Sequence, residues 1–123
     1  MSTTEITPRV RPAIIKGVCI KKETGCGNIY VTVNFDDDSQ PIEVFASMGK
    51  AGGCVSAQTE AVGRLISIAM RCHVPPQYLI KQLRGVACHK PSWESGNSEI
   101  LSCIDAIGIA LQEAINGRCN HAS

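Results

Sequence analysis

The segment NIYVTVNF, residues 28–35, alternates apolar and polar side chains without a break. This period of two is typical of a β-strand that buries one face and exposes the other. The apolar face carries four residues at every second position: Ile29, Val31, Val33 and Phe35. Such a strand needs neighbouring strands and a second layer over its apolar face, and this requirement limits the folds that the chain can adopt.

Two flanking segments supply the neighbours. IIKGVCI (14–20) predicts a first strand, and IEVFAS (42–47) predicts a return strand after the polar turn DDDSQP. The three segments predict an antiparallel β-hairpin or meander of about three strands.

Helical spacing dominates the rest of the chain. Apolar residues at helical intervals predict a long helix over roughly 55–72, and PQYLIKQLR (76–84) predicts a shorter one that Gly85 closes. A polar loop over 86–101 leads to a third helix, which starts after Ser102 and ends at Gly117. Because the strands come first and the helices later, the order favours an α+β fold with helices on one face of the sheet over alternating βαβ units.

Size and charge narrow the class of protein. The 123 residues suit one domain, which we expect at 13–117, between a flexible leader (1–12) and a tail (118–123). Lys plus Arg number 12 and Asp plus Glu 11, so composition gives no case for a nucleic-acid or membrane partner. The leader has no apolar signal core, which favours a cytoplasmic protein.

Seven cysteines are many for this length, and an odd number without a secretion signal argues against a full disulfide framework. Four of them fall at turns or at the ends of helices: Cys26, Cys54, Cys88 and Cys103. Thiolates held in this way suit a closed tetrahedral zinc site. No Cys-x-x-Cys pair is present, so the spacing also fits ordinary core thiols, or a redox pair of Cys54 with Cys103. Cys119, near the end of the chain, is a further redox candidate.

The segment LSCIDAIG (101–108) places one of these thiols at a helix start. Ser102 and Asp105 form an [ST]-x-x-[DE] capping pattern, which puts Cys103 at the first helical position. Because a helix N-terminus carries partial positive charge, this position predicts a thiol that is held closer to thiolate.

A glycine-rich loop precedes the long helix and allows a different site. Backbone N–H groups there, with a lysine beside them, are typical of loops that hold phosphates and other anions. The residues of this candidate ligand site are Gly49, Lys50, Ala51, Gly52 and Gly53. The alternative is a tight turn that places Cys54 against a metal. The loop lacks the GK[ST] of a Walker A motif.

Several segments resemble one protein family. TGCGNIYVTVNFD, GKAGGC-x-x-AQ-x-EA-x-GRLIS and LSCIDAIGIAL look like the TSCPD domain, and the likeness runs from about residue 14 to residue 115. That domain occurs at the C-terminus of adenosylcobalamin-dependent (class II) ribonucleotide reductases and also as small free-standing proteins. The resemblance implies that the four cysteines bind zinc. Ile104 stands where the family usually has proline, and Ala87-Cys88-His89 stands where Arg-Cys-Pro is common.

The resemblance implies a role beside a reductase. A chain of this size does not accommodate a thiyl-radical barrel and a cobalamin site, so we expect no ribonucleotide reduction and no cobalamin binding by this chain alone. The expected role is accessory to, or derived from, a class II ribonucleoside-diphosphate reductase, with its catalytic subunit as partner. Two alternatives stay open: a non-catalytic, homo-oligomeric binder of a nucleotide-like anion, and a thiol-disulfide carrier. The exposed sheet face suggests a homodimer.

Overall fold

Three antiparallel strands come first, and helices follow them. The computed structural model describes residues 5–49, 53–88, 92–94 and 98–121. Its elements in chain order are β1 (Lys16–Thr24), β2 (Gly27–Phe35), β3 (Pro41–Met48), α1 (Gly53–Arg71), α2 (Pro76–Leu83), β4 (Ser92–Glu94), β5 (Ser98–Ile100) and α3 (Cys103–His121). The predicted α+β class, with three strands before three helices, is confirmed.

The main sheet has the order β1-β2-β3, so the strand with the strict alternation lies in the middle. Val31 of β2 lies opposite Ile20 of β1 and Ala46 of β3, which makes an apolar row across the sheet. The four apolar residues of β2 are all buried, and its alternating side chains point to a more exposed face. Register is therefore fixed, because a slip by one residue would turn this apolar set into solvent.

Helix α3 supplies the layer that covers the apolar face. Its buried stripe recurs at helical spacing and packs in one cluster with β2: Ala106, Ile107, Ala110, Leu111 and Ala114. At the edge of this contact the buried Lys22 of β1 donates from Nζ to Glu113 Oε1 of α3 at 2.8 Å. The core is therefore aliphatic, and one ion pair fastens the outer strand to the helix.

Helix α1 approaches the backbone of β3 closely. A Cβ on Gly63 would lie 3.0 Å from the carbonyl oxygen of Val44, so a side chain there would push the helix away. One turn later, Ser67 Oγ accepts from Val44 N at 2.9 Å, and its one proton can be donated to Gly63 O at 2.8 Å or to Val44 O at 3.1 Å. The free edge of β3 is thus hydrogen-bonded to a helix side chain at this point, which occupies the groups that another strand would need.

The segment before β1 is attached to the sheet and to α1. Arg9 Nη1 donates to Asp36 Oδ2 at 2.7 Å, and its Nη2 donates to the carbonyls of Pro41 and Met70. Arg9 and Arg71 also exchange hydrogen bonds, because Arg9 N donates to Arg71 O and Arg71 Nε donates to Arg9 O. Residues that the sequence assigns to a leader therefore connect the β2–β3 turn to the end of α1.

Two local predictions were wrong. The polar loop predicted over 86–101 contains a short antiparallel pair, β4 and β5. Helix α3 does not end at Gly117 but continues to His121, with the Arg118 guanidinium 5.0 Å from the centre of the Phe35 ring. This cation–π contact stabilises the part of α3 that follows Gly117. Among the described residues, no helix combines the length and the apolar character that crossing a membrane requires.

Glu43 links the open face of the sheet to the N-terminal segment. Its carboxylate accepts from Arg11 Nε at 2.9 Å and from Asn34 Nδ2 at 2.7 Å. Burial by itself raises the pKa of Glu43, but the hydrogen bonds from Arg11 and Asn34 and the charges of Arg11 and Arg71 outweigh it, so the pKa is lowered. The folded chain therefore favours the ionised carboxylate.

This lowered pKa predicts a loss of stability in acid. A carboxyl group with a depressed folded-state pKa contributes stability above its unfolded pKa, and that contribution is lost as the pH falls through the folded-state value. We expect Glu43→Gln to lower the urea midpoint at neutral pH and to flatten its decline between neutral and acidic pH. Asp37→Asn, in the exposed β2–β3 turn, is the control and should keep the wild-type slope. Parallel pH profiles of Glu43→Gln and wild type would contradict the assignment.

Candidate metal centre

The tip of the β1–β2 hairpin carries the first of the four predicted ligands. Thr24 and Gly27 are the last paired residues, so Gly25 and Cys26 form the turn. Thr24 Oγ1 donates to Gly27 O at 2.7 Å and accepts from Cys26 N at 3.2 Å. Gly27 has φ of 124°, a conformation that suits glycine alone. The turn therefore holds Cys26 with its side chain exposed.

A buried carboxylate organises the region around two other cysteines. Asp105, with a relative exposure of 1%, accepts at Oδ1 from Arg84 Nε at 2.9 Å and from Gly85 N at 3.0 Å. Its Oδ2 accepts from Leu101 N at 3.1 Å. One side chain thereby joins the end of α2 to the start of α3.

Ser102 strengthens the same junction. Its Oγ accepts from Asp105 N at 3.0 Å, as expected of a helix N-cap, and donates to Val86 O. The predicted capping box is only half formed, because the Asp105 carboxylate reaches Leu101 N rather than the N–H of Ser102. Cys88 N donates to Leu101 O at 2.9 Å. These bonds align the chain before Cys88 with the chain before Cys103.

The pKa of the Cys103 thiol is raised, which corrects the expectation of a thiolate-favouring position. Burial is the largest cause, and the neighbouring thiols of Cys26 and Cys88 add repulsion between negative charges. The backbone N–H groups of Cys103 and Ile104 act in the opposite direction and lower the pKa, but they do not compensate. The helix N-terminus therefore contributes as predicted, and the sign is decided by burial and by two other sulfurs.

The thiols of Cys26 and Cys88 therefore both act electrostatically on the thiol of Cys103. Cys54, the second residue of α1, is exposed and is not among the thiols that act on Cys103. Within residues 5–49, 53–88, 92–94 and 98–121, no three His, Cys, Asp or Glu side chains meet in a metal-binding arrangement. The four-cysteine zinc site thus stays a prediction.

The other predicted site residues are placed as follows. Gly49 N donates to Asn28 O at 3.0 Å, so this N–H is already used, and Gly53 begins α1. Lys50, Ala51 and Gly52 lie outside the described residues, as do His89 and the side chain of Cys119. Cys19 is exposed on β1 and Cys72 is half-buried after α1; both are free thiols, as are the four candidate ligands.

The sequence did not predict which hydrogen bonds position the segments that carry Cys88 and Cys103. The pattern Ser-x-x-Asp identified Ser102 and Asp105 as a helix cap, but it did not show that Asp105 also binds Arg84 and Gly85. An acidic residue in the first turn of a largely apolar helix is a weak signal for this role. Partners some twenty positions earlier cannot be identified from local spacing.

Comparison with known proteins gives one match. The family model of the TSCPD domain matches residues 4–115, nearly the whole chain. No curated protein and no solved structure matches the chain. The matched range includes all four candidate ligands and the whole junction around Asp105.

The junction predicts a specific effect of removing its carboxylate. Asp105→Ala leaves the backbone N–H groups of Gly85 and Leu101 and the Arg84 guanidinium without their acceptor and opens a cavity at a buried position, and we expect a loss of roughly 2–4 kcal/mol in the free energy of unfolding. Under native conditions Cys88 and Cys103 should be alkylated faster by iodoacetamide, as followed by mass spectrometry. Asp38→Ala, in an exposed turn, is the matched control. Unchanged alkylation of both cysteines in Asp105→Ala would show that the junction does not position them.

Proposed function

Because the chain belongs to the TSCPD domain family, we propose that it is a zinc-binding module that acts beside a class II ribonucleotide reductase or descends from one. The observation that best supports this proposal is that two thiols, one at the hairpin tip and one in the loop after α2, act electrostatically on Cys103 at the start of α3. Thiolates are the preferred zinc ligands of structural sites, so the donor chemistry fits the ion.

The electrostatics of the group support a cation. Cys26 and Cys88 raise the pKa of Cys103 because three thiolates so placed repel one another. A divalent cation bound by these sulfurs replaces that repulsion by attraction and holds the thiols deprotonated. The N–H groups of Cys103 and Ile104 would then hydrogen-bond a metal-bound sulfur, which is a common outer-shell arrangement.

Cys54 is proposed as the fourth ligand. It stands in the first turn of α1, directly after Gly53, and its side chain is exposed. The resemblance to the TSCPD domain supports this assignment, because Cys54 matches one of the four cysteines of the family pattern. As a zinc ligand, Cys54 would join α1 to the hairpin tip and to the α2–α3 junction through one ion.

A structural zinc would serve docking rather than turnover. In this proposal the ion holds three distant segments in one rigid surface, and that surface or the open sheet face meets the catalytic subunit. The nucleotide-like ligand at Gly49–Gly53, the thiol-disulfide carrier and the homodimer stay predictions. Among these, a carrier is the least compatible with zinc, because a bound ion would occupy the thiols that a carrier needs free.

Metal analysis tests the zinc proposal. Protein purified without added metal should carry about one zinc per chain, because four thiolates complete a tetrahedral site. Cys88→Ser and Cys103→Ser should lose the metal and melt at lower temperature, while Cys19→Ser and Cys72→Ser should match wild type. Since zinc displaces thiol protons, its affinity should rise with pH. A metal-free chain whose melting temperature does not respond to zinc would refute the proposal.

A second experiment addresses the reductase. With a ribonucleotide, adenosylcobalamin and a dithiol, the chain alone should produce no deoxyribonucleotide. With a class II catalytic subunit that lacks this domain, we expect co-sedimentation that depends on zinc and is weakened by Cys103→Ser but not by Cys19→Ser. Turnover by the chain alone would overturn the accessory role. Failure to associate with zinc-loaded protein would remove the reductase partner and leave the zinc site intact.

A further inference from the structure

A groove between β3 and α1 is unrelated to the thiols. Its volume is 490 Å³, which lies within the range of small-molecule sites. Its lining residues on β3 are Glu43, Val44, Phe45 and Ala46, and those on α1 are Glu60, Arg64, Ser67, Ile68 and Arg71. The lining thus holds two carboxylates and two guanidinium groups. The residues of α1 recur at helical spacing, so one stripe of the helix lies along the strand.

The groove is closed to an added β-strand at its middle. A strand that pairs with the edge of β3 would need the N–H and C=O of Val44, and Ser67 Oγ already contacts both. Continuous pairing along this edge is therefore interrupted at Val44, so side chains of the groove are the main groups left for recognition. This restriction favours a small molecule over an extended peptide.

The charges of the groove leave cationic groups available. Both oxygens of Glu43 are bound, one by Asn34 and the other by Arg11. Arg71 is held in place through Nε, which donates to Arg9 O at 2.8 Å, and its terminal nitrogens have no hydrogen bond within the described residues. Arg64 has only a 3.6 Å contact with Glu60 there, and its side chain is 77% exposed. Glu60 also lines the groove, but its side chain is 65% exposed and an exposed ion pair of this kind contributes little, so an anion can compete with Glu60 for Arg64. Arg64 and Arg71 can therefore bind an anion.

Apolar surface lies beside these cations. Phe45 is 56% exposed and Ile68 is 42% exposed. A flat ring laid against Phe45 would remove apolar area from water, and a planar anionic group would suit the guanidinium forks. The same ligand can satisfy both surfaces only if it carries a ring and an anion a short distance apart.

We propose that the β3–α1 groove binds a small planar aromatic anion, whose ring packs on Phe45 and Ile68 and whose phosphate or carboxylate pairs with Arg64 and Arg71. This site involves no residue of the glycine-rich loop and no cysteine. It is independent of the zinc proposal, because neither the groove nor its cations depend on the thiol group.

Titration followed by amide chemical shifts tests the groove. Phenyl phosphate and benzoate are the probes, and inorganic phosphate and benzyl alcohol supply the anion and the ring alone. A ligand of this size should bind with a dissociation constant on the order of 1–10 mM. Saturable shifts should centre on residues 43–46 and 64–71, and the separate anion and ring should bind much more weakly. The stronger of the two probes identifies the preferred anionic group.

Variants sharpen the result. Arg64→Ala and Phe45→Ala should each weaken binding by about fivefold or more, since each removes one charge or one stacking surface. Lys81→Ala, an exposed basic residue of α2, is the matched control and should leave the affinity unchanged. Melting temperatures separate loss of binding from loss of fold. The proposal is overturned if the shifts centre on residues 49–54, if Lys81→Ala weakens binding equally, or if no saturable shift occurs with either probe.

Discussion

The buried Asp105 carboxylate is the contact on which the candidate metal centre depends. It holds three N–H groups from two segments that are separated by the whole α2–α3 connection. Without it, Arg84 and Gly85 would lose their acceptor, and the loop that carries Cys88 would be attached to the start of α3 through the bonds from Ser102 to Val86 and from Cys88 to Leu101. The cost of burying a carboxylate is offset because both of its oxygens accept hydrogen bonds and a guanidinium lies beside it. The Ser102 hydroxyl group acts in the same way, so two residues of one short motif, three positions apart, connect the same pair of segments.

A second close contact, between Val44 and Ser67, decides what the other side of the protein can do. Gly63 lets α1 come near the backbone of β3, and Ser67 then occupies the strand edge. Because the helix lies beside the edge rather than flat on the sheet, a groove opens along β3. The contact that protects the edge of β3 from pairing therefore also places α1, with Arg64 and Arg71, along one side of the groove.

Much of this fold could be predicted from local pattern, and the failures share one cause. The alternation in β2 and the helical spacing in α1 reflect which side chains are buried, and this pattern is visible in the sequence. The bounds of both elements were therefore predicted to within a few residues. The Arg9 contacts, the extension of α3 past Gly117 and the hub at Asp105 all depend on side chains that meet across long stretches of chain. Similarly, the helix dipole predicted a lowered pKa for Cys103, whereas burial and two remote thiols raise it. Local spacing carries no information about such neighbours.

The departures from the usual family pattern can be understood in the same terms. Proline at position 104 would make the first turn of α3 rigid but would offer no N–H. The N–H of Ile104 lowers the pKa of Cys103 and so favours its thiolate. Compared with the usual family pattern, this chain lacks the rigid proline ring but has a hydrogen-bond donor beside the sulfur. The rigidity that the proline would have supplied is available from Ser102 and Asp105, which fix the same turn through the hydrogen bonds to Val86, Gly85 and Leu101. If the sulfur is a zinc ligand as we propose, this exchange preserves the position of the ligand and adds a donor beside it, because an N–H directed at a metal-bound thiolate withdraws charge that the ion alone would have to balance.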